Sequence, residues 1–184
     1  MHEPEPAPDN TDPGIASSAQ RRSRLRLLLG LCAVLCALTA AVASSGCIVL
    51  ANTEIELYAE VNAVRAEAGL PPLEADPVLA DIARFHSNDM AVNHTFRHEF
   101  ANGCTVICVM DERGVPHAWA GENLEVNNWP WPETAYRAVA KWQSTPEHLK
   151  NMLNCHYTRF GAGVIPDDTG RIYFSMVFEG NATC

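Results

Sequence analysis

From Thr53 onward, apolar positions spaced for helices give way to apolar positions spaced for strands. Leu57, Val61, Val64 and Ala68 recur at four, three and four residues, the repeat of a helix with one buried face. Thr53-Glu54-Ile55-Glu56 ahead of them reads as a capping box, Gly69 closes the helix and Pro71-Pro72 forbids its continuation. Asp76-Pro77 predicts a second start, with Asp as N-cap and Pro at the first helical position. Its stripe is Leu79, Ile82, Ala83, His86 and Met90, so His86 points inward. A core histidine bonded to backbone or to Ser87 accounts for it, and a ligand role is the alternative. Trp129-Pro130-Trp131-Pro132 is an extended entry to a third helix over Glu133–Gln143, with Ala135, Val139 and Trp142 inward. The tryptophans pack against proline at the domain edge, with exposed ligand contacts as the alternative. Ser144-Thr145-Pro146-Glu147-His148 opens a short fourth helix behind a hydroxyl cap, with Leu149, Met152 and Leu153 in the core.

The period then changes to two. Thr158–Ile165 and Arg171–Phe178 read as strands around an Asp167-Asp168-Thr169-Gly170 turn. Tyr173, Ser175 and Val177 share one face, and Ile172, Phe174, Met176 and Phe178 the other. A sheet apolar on both faces needs cover on both. The predicted fold is therefore α+β: a three-layer α-β-α sandwich with a small antiparallel sheet between helices. Asn93 to Val115 has no clear period and reads as a long polar loop, holding His94, His98, Cys104 and Cys108. Loops of this length in a compact domain are usually functional or disulfide-pinned.

The N-terminal third is different. Residues 1–20 are rich in Pro, Asp, Glu and Ser and read as disordered. Arg21-Arg22-Ser23-Arg24-Leu25-Arg26 then precedes an uncharged run from Leu27 to Asn52, the pattern of an export signal. Ala41-Val42-Ala43 fits a small-x-small cleavage site, which makes 21–43 a signal peptide and puts the mature start near Ser44. An uncleaved anchor reaching to about residue 51 and lipidation at Cys47 are the alternatives, and either would tie the domain to a membrane. Four acids and four arginines cancel within residues 1–43, so the formal charge of -9 belongs to the exported part. That balance argues against nucleic acid as a partner and against adhesion to anionic lipid.

Export also favours disulfides among Cys47, Cys104, Cys108, Cys155 and Cys184. Cys155 precedes one strand of the hairpin and Cys184 follows the other, so antiparallel pairing brings them to one end. Cys104–Cys108 is the second expected pair, and Cys47 is the odd thiol. Asn93-His94-Thr95 and Asn181-Ala182-Thr183 are glycosylation sequons, of consequence only in a eukaryotic secretory pathway.

The candidate chemistry is one carboxylate and two imidazoles: Glu122, in Ala120-Gly121-Glu122-Asn123-Leu124, between His98 and His148. Such a set suits a metal or acid–base site if the fold gathers it. His148 falls in the first turn of its helix, where the dipole disfavours imidazolium.

These phrases occur in a telling order. Asn62-x-x-Arg65 leads to Gly69-Leu70-Pro71-Pro72-Leu73, then Leu79-x-x-Ile82-Ala83-x-x-His86-Ser87-x-Asp89-Met90, then His98. Ala120-Gly121-Glu122-Asn123-Leu124 follows, then Trp142-x-Ser144-x-Pro146-x-His148-x-x-Asn151-Met152-Leu153, Phe160-Gly161-Ala162-Gly163 and Phe174-Ser175-Met176-Val177-Phe178. The chain resembles the bacterial, SCP-like branch of the CAP superfamily (cysteine-rich secretory proteins, antigen 5 and pathogenesis-related proteins) over nearly all of residues 53–179, within a domain taken as 53–184. The resemblance implies an α-β-α sandwich with a central cavity. There two histidines, matched by His98 and His148, and a glutamate, matched by Glu122, can hold a divalent metal such as zinc. It implies an extracellular or cell-envelope protein. The second glutamate of animal members would stand at position 145, which is Thr145 here.

Three functions follow. The cavity of a binding module would hold a metal and a small hydrophobic, lipid, peptide or cell-wall ligand. A zinc-dependent hydrolase would use Glu122 as general base, with His94 or a loop residue as third ligand. An inert network would have Glu122 accepting bonds from backbone amides.

Overall fold

The structure is a computed structural model that describes Gly46 and residues 48–184. The N-terminal stretch 1–20, the signal segment 21–43 and Cys47 lie outside the described residues. Helix α1 runs through residues 48–67 and begins upstream of the predicted capping box. Thr53 is therefore not a cap: it sits inside the helix and its hydroxyl donates back to the Val49 carbonyl. Leu57, Val61 and Val64 are buried as their spacing predicts, but Ala68 is exposed and Arg65 takes its place inside. Gly69, at φ 71°, closes the helix.

Strand β1 (Glu74–Ala75) leads into α2 (Pro77–Asn93), whose N-cap Asp76 accepts from the amides of Val78 and Leu79. The expected long loop holds a seven-residue helix, α3 (Val106–Glu112). Then come β2 (Trp119–Asn127), α4 (Trp131–Gln143), α5 (Pro146–Met152), β3 (Arg159–Pro166) and β4 (Ile172–Gly180). The hydroxyls before α5 do not cap it, because Ser144 and Thr145 both donate to the Lys141 carbonyl in α4.

The strands form one sheet in the order β1-β3-β4-β2. The three long strands are antiparallel, and the two-residue β1 adds a parallel pairing with β3. β4 is central and buried throughout. Phe174, Met176 and Phe178 join Leu57 and Val61 of α1, Ala135, Val139 and Trp142 of α4 and Met152 of α5 in one core. Val177 on the opposite face packs with Leu79 and Ile82 of α2 and Val109 and Met110 of α3. Helices thus cover both faces, as the double-sided apolar pattern of β4 requires.

Gly161 and Gly163 let α2 lie directly on β3, since a Cβ at either would run into the helix backbone at Leu79–Ala80 or Ala83–Arg84. Arg159 ties the entry of α2 to the sheet by pairing with Asp76 at 2.6 Å and with the buried Glu179 at 2.7 Å. Disulfides join Cys155 to Cys184 and Cys104 to Cys108. Both sequon asparagines use their side-chain amides internally, Asn93 on the Asp89 carbonyl and Asn181 on the Glu179 carboxylate.

Candidate functional site

The site is built on β2. Register pairs Glu122 with Val177 and Leu124 with Ser175, so Glu122 and Ser175 face the α2–α3 layer. His86, one turn before Met90 on the buried stripe of α2, donates from Nδ1 to Glu122 Oε1 at 2.6 Å. Ser175 Oγ donates to the same oxygen at 2.6 Å. His98, in the segment after α2, donates from Nδ1 to Oε2 at 2.9 Å. One buried carboxylate therefore bridges two imidazoles and a hydroxyl. An ionised carboxylate can only accept, so both rings carry a proton on Nδ1.

The charges follow from this geometry. Burial pushes the Glu122 carboxyl up, and the bonds from His86, His98 and Ser175 outweigh it, holding Glu122 below the usual carboxylate range. The bond to Glu122 raises His98 above the ordinary histidine value against the opposing effect of burial. His148 shifts the other way, lowered first by burial and then by the field of His98. The helix start predicted the direction for His148, but desolvation is the larger cause. Its Nδ1 is buried and has no hydrogen-bond partner among the described residues.

Asparagines place His148. Asn123, on the opposite face of β2 from Glu122, donates to the His148 carbonyl at 3.0 Å. Asn151 donates to Asn123 Oδ1 and to the Glu122 carbonyl. This pair pins α5 to the edge strand, and Gly121 leaves room for it, since a Cβ there would meet Tyr157 Oη and Asn151 Oδ1. The phrase Ala120-Gly121-Glu122-Asn123-Leu124 is thus an edge strand that sends its acid to one layer and its amide to the other. A cleft of about 180 Å³ opens beside it, lined by His98, Thr105, Val106, Ile107, Gly121 and Glu122.

Three expectations are corrected. His86 bonds to Glu122 rather than to backbone or to Ser87, whose hydroxyl donates to the Gly163 carbonyl. His94 does not join the site: it ends α2 in the left-handed conformation and lies against Asp167 and Arg171 at the β3–β4 turn. Glu122 also takes its bonds from side chains, not from backbone amides. Ser175 and His86 were the residues hardest to place from sequence. Their signal is shared: each is a lone polar group on a buried apolar stripe, and each needs a partner.

Ligand atoms of His98, Glu122 and His148 do not converge as a ready-made trio. Among the described residues, sets of three within 4.8 Å of one another are Cys155, His156 and Cys184; Cys104, Cys108 and Glu112; and His94, Asp167 and Asp168. The first two contain the disulfides, and Arg171 occupies the third.

Glu125, three residues along β2, is half-buried, and burial pushes its carboxyl up to about 7 against the opposing charge of Lys141. A carboxyl whose folded pKa lies above its unfolded value binds extra protons when native, so its contribution is full below the unfolded value and lost as pH rises through about 7. Glu125→Gln should remove this slope. Urea midpoints measured across that window should show the variant gaining on the wild type as pH rises, and parallel curves would contradict the assignment.

Comparison with known proteins agrees with the architecture. The model of the family described as cysteine-rich secretory protein (CAP) matches residues 58–178. Two proteins of Bacillus subtilis strain 168, YkwD and the membrane protein YlbC, are 31% and 33% identical to the chain. Each match covers 61% of this chain, but only 41% of YkwD and 32% of YlbC, so the chain spans well under half of either relative. Among solved structures, an extracellular protein containing an SCP domain from Bacillus anthracis strain Ames has a TM-score of 0.61 at 26% identity, over 71% of this chain and 41% of that one. An outer surface protein of Borrelia burgdorferi shares the fold with a TM-score of 0.63 at 19% identity, over 71% of this chain and 94% of that one. With the family model matching residues 58–178, well over half of the chain, and the fold shared with a bacterial SCP-domain protein, the chain belongs to the CAP, or cysteine-rich secretory protein, family.

Proposed function

We propose that this domain is an exported binding module that takes a divalent metal such as zinc between His98 at the cleft wall and His148 of α5, with a small hydrophobic, lipid or peptide ligand in the cleft. One observation carries the metal reading. His98 spends Nδ1 on Glu122 and keeps Nε2 for a ligand, while His148 is held toward the neutral form with a buried ring nitrogen that has no partner among the described residues. The donor set fits a two-histidine site with solvent completing the shell. Both Glu122 oxygens are engaged, so Glu122 orients His98 from behind, as carboxylates behind metal-bound histidines commonly do. A bound metal would supply Lewis acidity to an oxygen ligand.

The hydrolase reading has less support. Glu122 accepts from three donors and sits below its ordinary range, which makes it a weak base. The apolar ligand is argued from the cleft, where Val106 and Ile107 face the polar end at His98 and Glu122. An exported location rests on the signal pattern of residues 21–43 and on relatives described as extracellular and outer surface proteins. No helix among the described residues is long and apolar enough to cross a membrane.

Zinc titration by calorimetry tests the metal site. The protein should bind one zinc, and His98→Ala and His148→Ala should each weaken binding by about 100-fold or more, at least the upper end of what losing a group behind a metal ligand costs. Absence of binding by the wild type would leave the cleft as a hydrogen-bonded network with no metal role. Unchanged affinity in both variants would place the metal elsewhere.

A further inference from the structure

We propose that the Cys104–Cys108 disulfide is a redox-sensitive latch that holds the cleft wall and, through it, the two histidines on Glu122. The metal arm of this proposal rests on the binding reading above; its structural arm does not.

The disulfide brackets Thr105, Val106 and Ile107, half of the residues lining the cleft. It spans the first turn of α3, from the residue before the N-cap to the third helical residue. Besides the disulfide, that turn is held by the burial of Val106 and by the Cys104 amide donating to Asn102 Oδ1. The helix is seven residues long, well below the length at which helices persist alone, and Thr105 makes no side-chain capping bond. The same turn anchors the segment that carries His98. Glu99 pairs with Thr105 as an isolated antiparallel bridge, and the Phe100 amide donates to the Cys104 carbonyl at 2.7 Å. The Phe100 ring lies against the His86 ring, with centroids 4.2 Å apart. One short staple therefore backs the cleft wall, the segment of His98 and the ring of His86.

Accessibility supports a switch rather than a permanently buried bond. Cys104 is nearly enclosed, whereas Cys108 is half-buried at the surface, so an incoming thiolate meets the Cys108 sulfur first. The step balances with a dithiol as reductant. Its thiolate attacks Cys108 Sγ and forms a mixed disulfide, and Cys104 leaves as thiolate and takes a proton. The second thiol of the reductant then displaces Cys108. Two electrons and two protons pass to the protein, and the dithiol becomes a disulfide. The other disulfide, Cys155–Cys184, closes the far end of the β3–β4 hairpin, and neither of its cysteines lines the cleft.

The test uses the double variant Cys104→Ser/Cys108→Ser in the exported protein, with the second disulfide intact, so that no reductant competes for metal. Hydrogen exchange is followed at the Val109 amide, bonded to the Thr105 carbonyl, and at the Phe100 amide. Zinc affinity is measured alongside. Opening the latch should speed exchange at both amides by about tenfold or more and weaken zinc by about 10- to 100-fold, the range for losing support behind metal ligands. Exchange at Val177 in the central strand should not change, which distinguishes local release from general unfolding. Unchanged exchange at Val109 and Phe100 overturns the proposal whatever zinc does. If exchange accelerates but zinc binds equally well, the latch does not control the site and the proposal also falls. If neither protein binds zinc, the metal reading fails, and accelerated exchange alone then carries the latch.

Discussion

Gly161→Ala should cost the domain about 3 kcal/mol or more, the upper range for overpacking. The added Cβ would meet backbone, the Ala80 amide and the Leu79 carbonyl carbon, and not a side chain that could turn aside. To admit a methyl group, α2 must lift from β3. That movement would disturb Asp76 at its start and His86 farther along, so Arg159 and Glu122 would both lose partners. Thermal unfolding of Gly161→Ala and Gly163→Ala should show large losses of similar size for the two variants. A shift within experimental error would mean that the close approach of helix and strand is not required.

Arg65→Ala should cost on the order of 3–5 kcal/mol, the range for breaking a buried charged network. The side chain is fully enclosed and donates to three carbonyls: Pro71 after α1, and Met152 and Asn154 at the end of α5. Removing the guanidinium strips the buried Met152 carbonyl of its donor, weakens the ties to Pro71 and Asn154 and opens a cavity of side-chain length. Arg65→Lys should recover only part of the loss, because one ammonium cannot reproduce the planar fork that spans the three acceptors. Chemical denaturation of both variants measures the difference. Asn62, three residues earlier, has a smaller version of the same task, bonding the Leu73 amide and carbonyl to close the loop after α1.

What could be read from the sequence depended on whether one force set the pattern. The stripe of α2 and the alternation of β4 arise from burial alone, and both were placed correctly. β2 did not announce itself as a strand. Its residues are polar on both faces, since Glu122 serves one layer and Asn123 the other, and no period of two survives that division. α3 escaped because seven residues beside a disulfide carry too few turns to show a helical repeat. The Asn62-x-x-Arg65 phrase was visible as a motif, but its reason, carbonyls supplied from residues almost ninety positions away, was not. For the same reason Glu122 was found as a candidate while its partner His86 was read as a core residue. Only the fold shows that α2, lying on β3 and β4, brings His86 within reach of Glu122.

The amides that shape the site have a second consequence, for assembly. β2 is the outermost strand, and an open outermost strand is a template on which other chains can add. Two of its carbonyls are already taken by helices, Glu122 by the Asn151 amide and Leu124 by the Trp142 indole. On the opposite edge, β1 offers only two residues. Strand addition is thereby disfavoured at both edges, on β2 by the occupied carbonyls and on β1 by its length, which guards the sheet against fibril-like stacking of one molecule on the next.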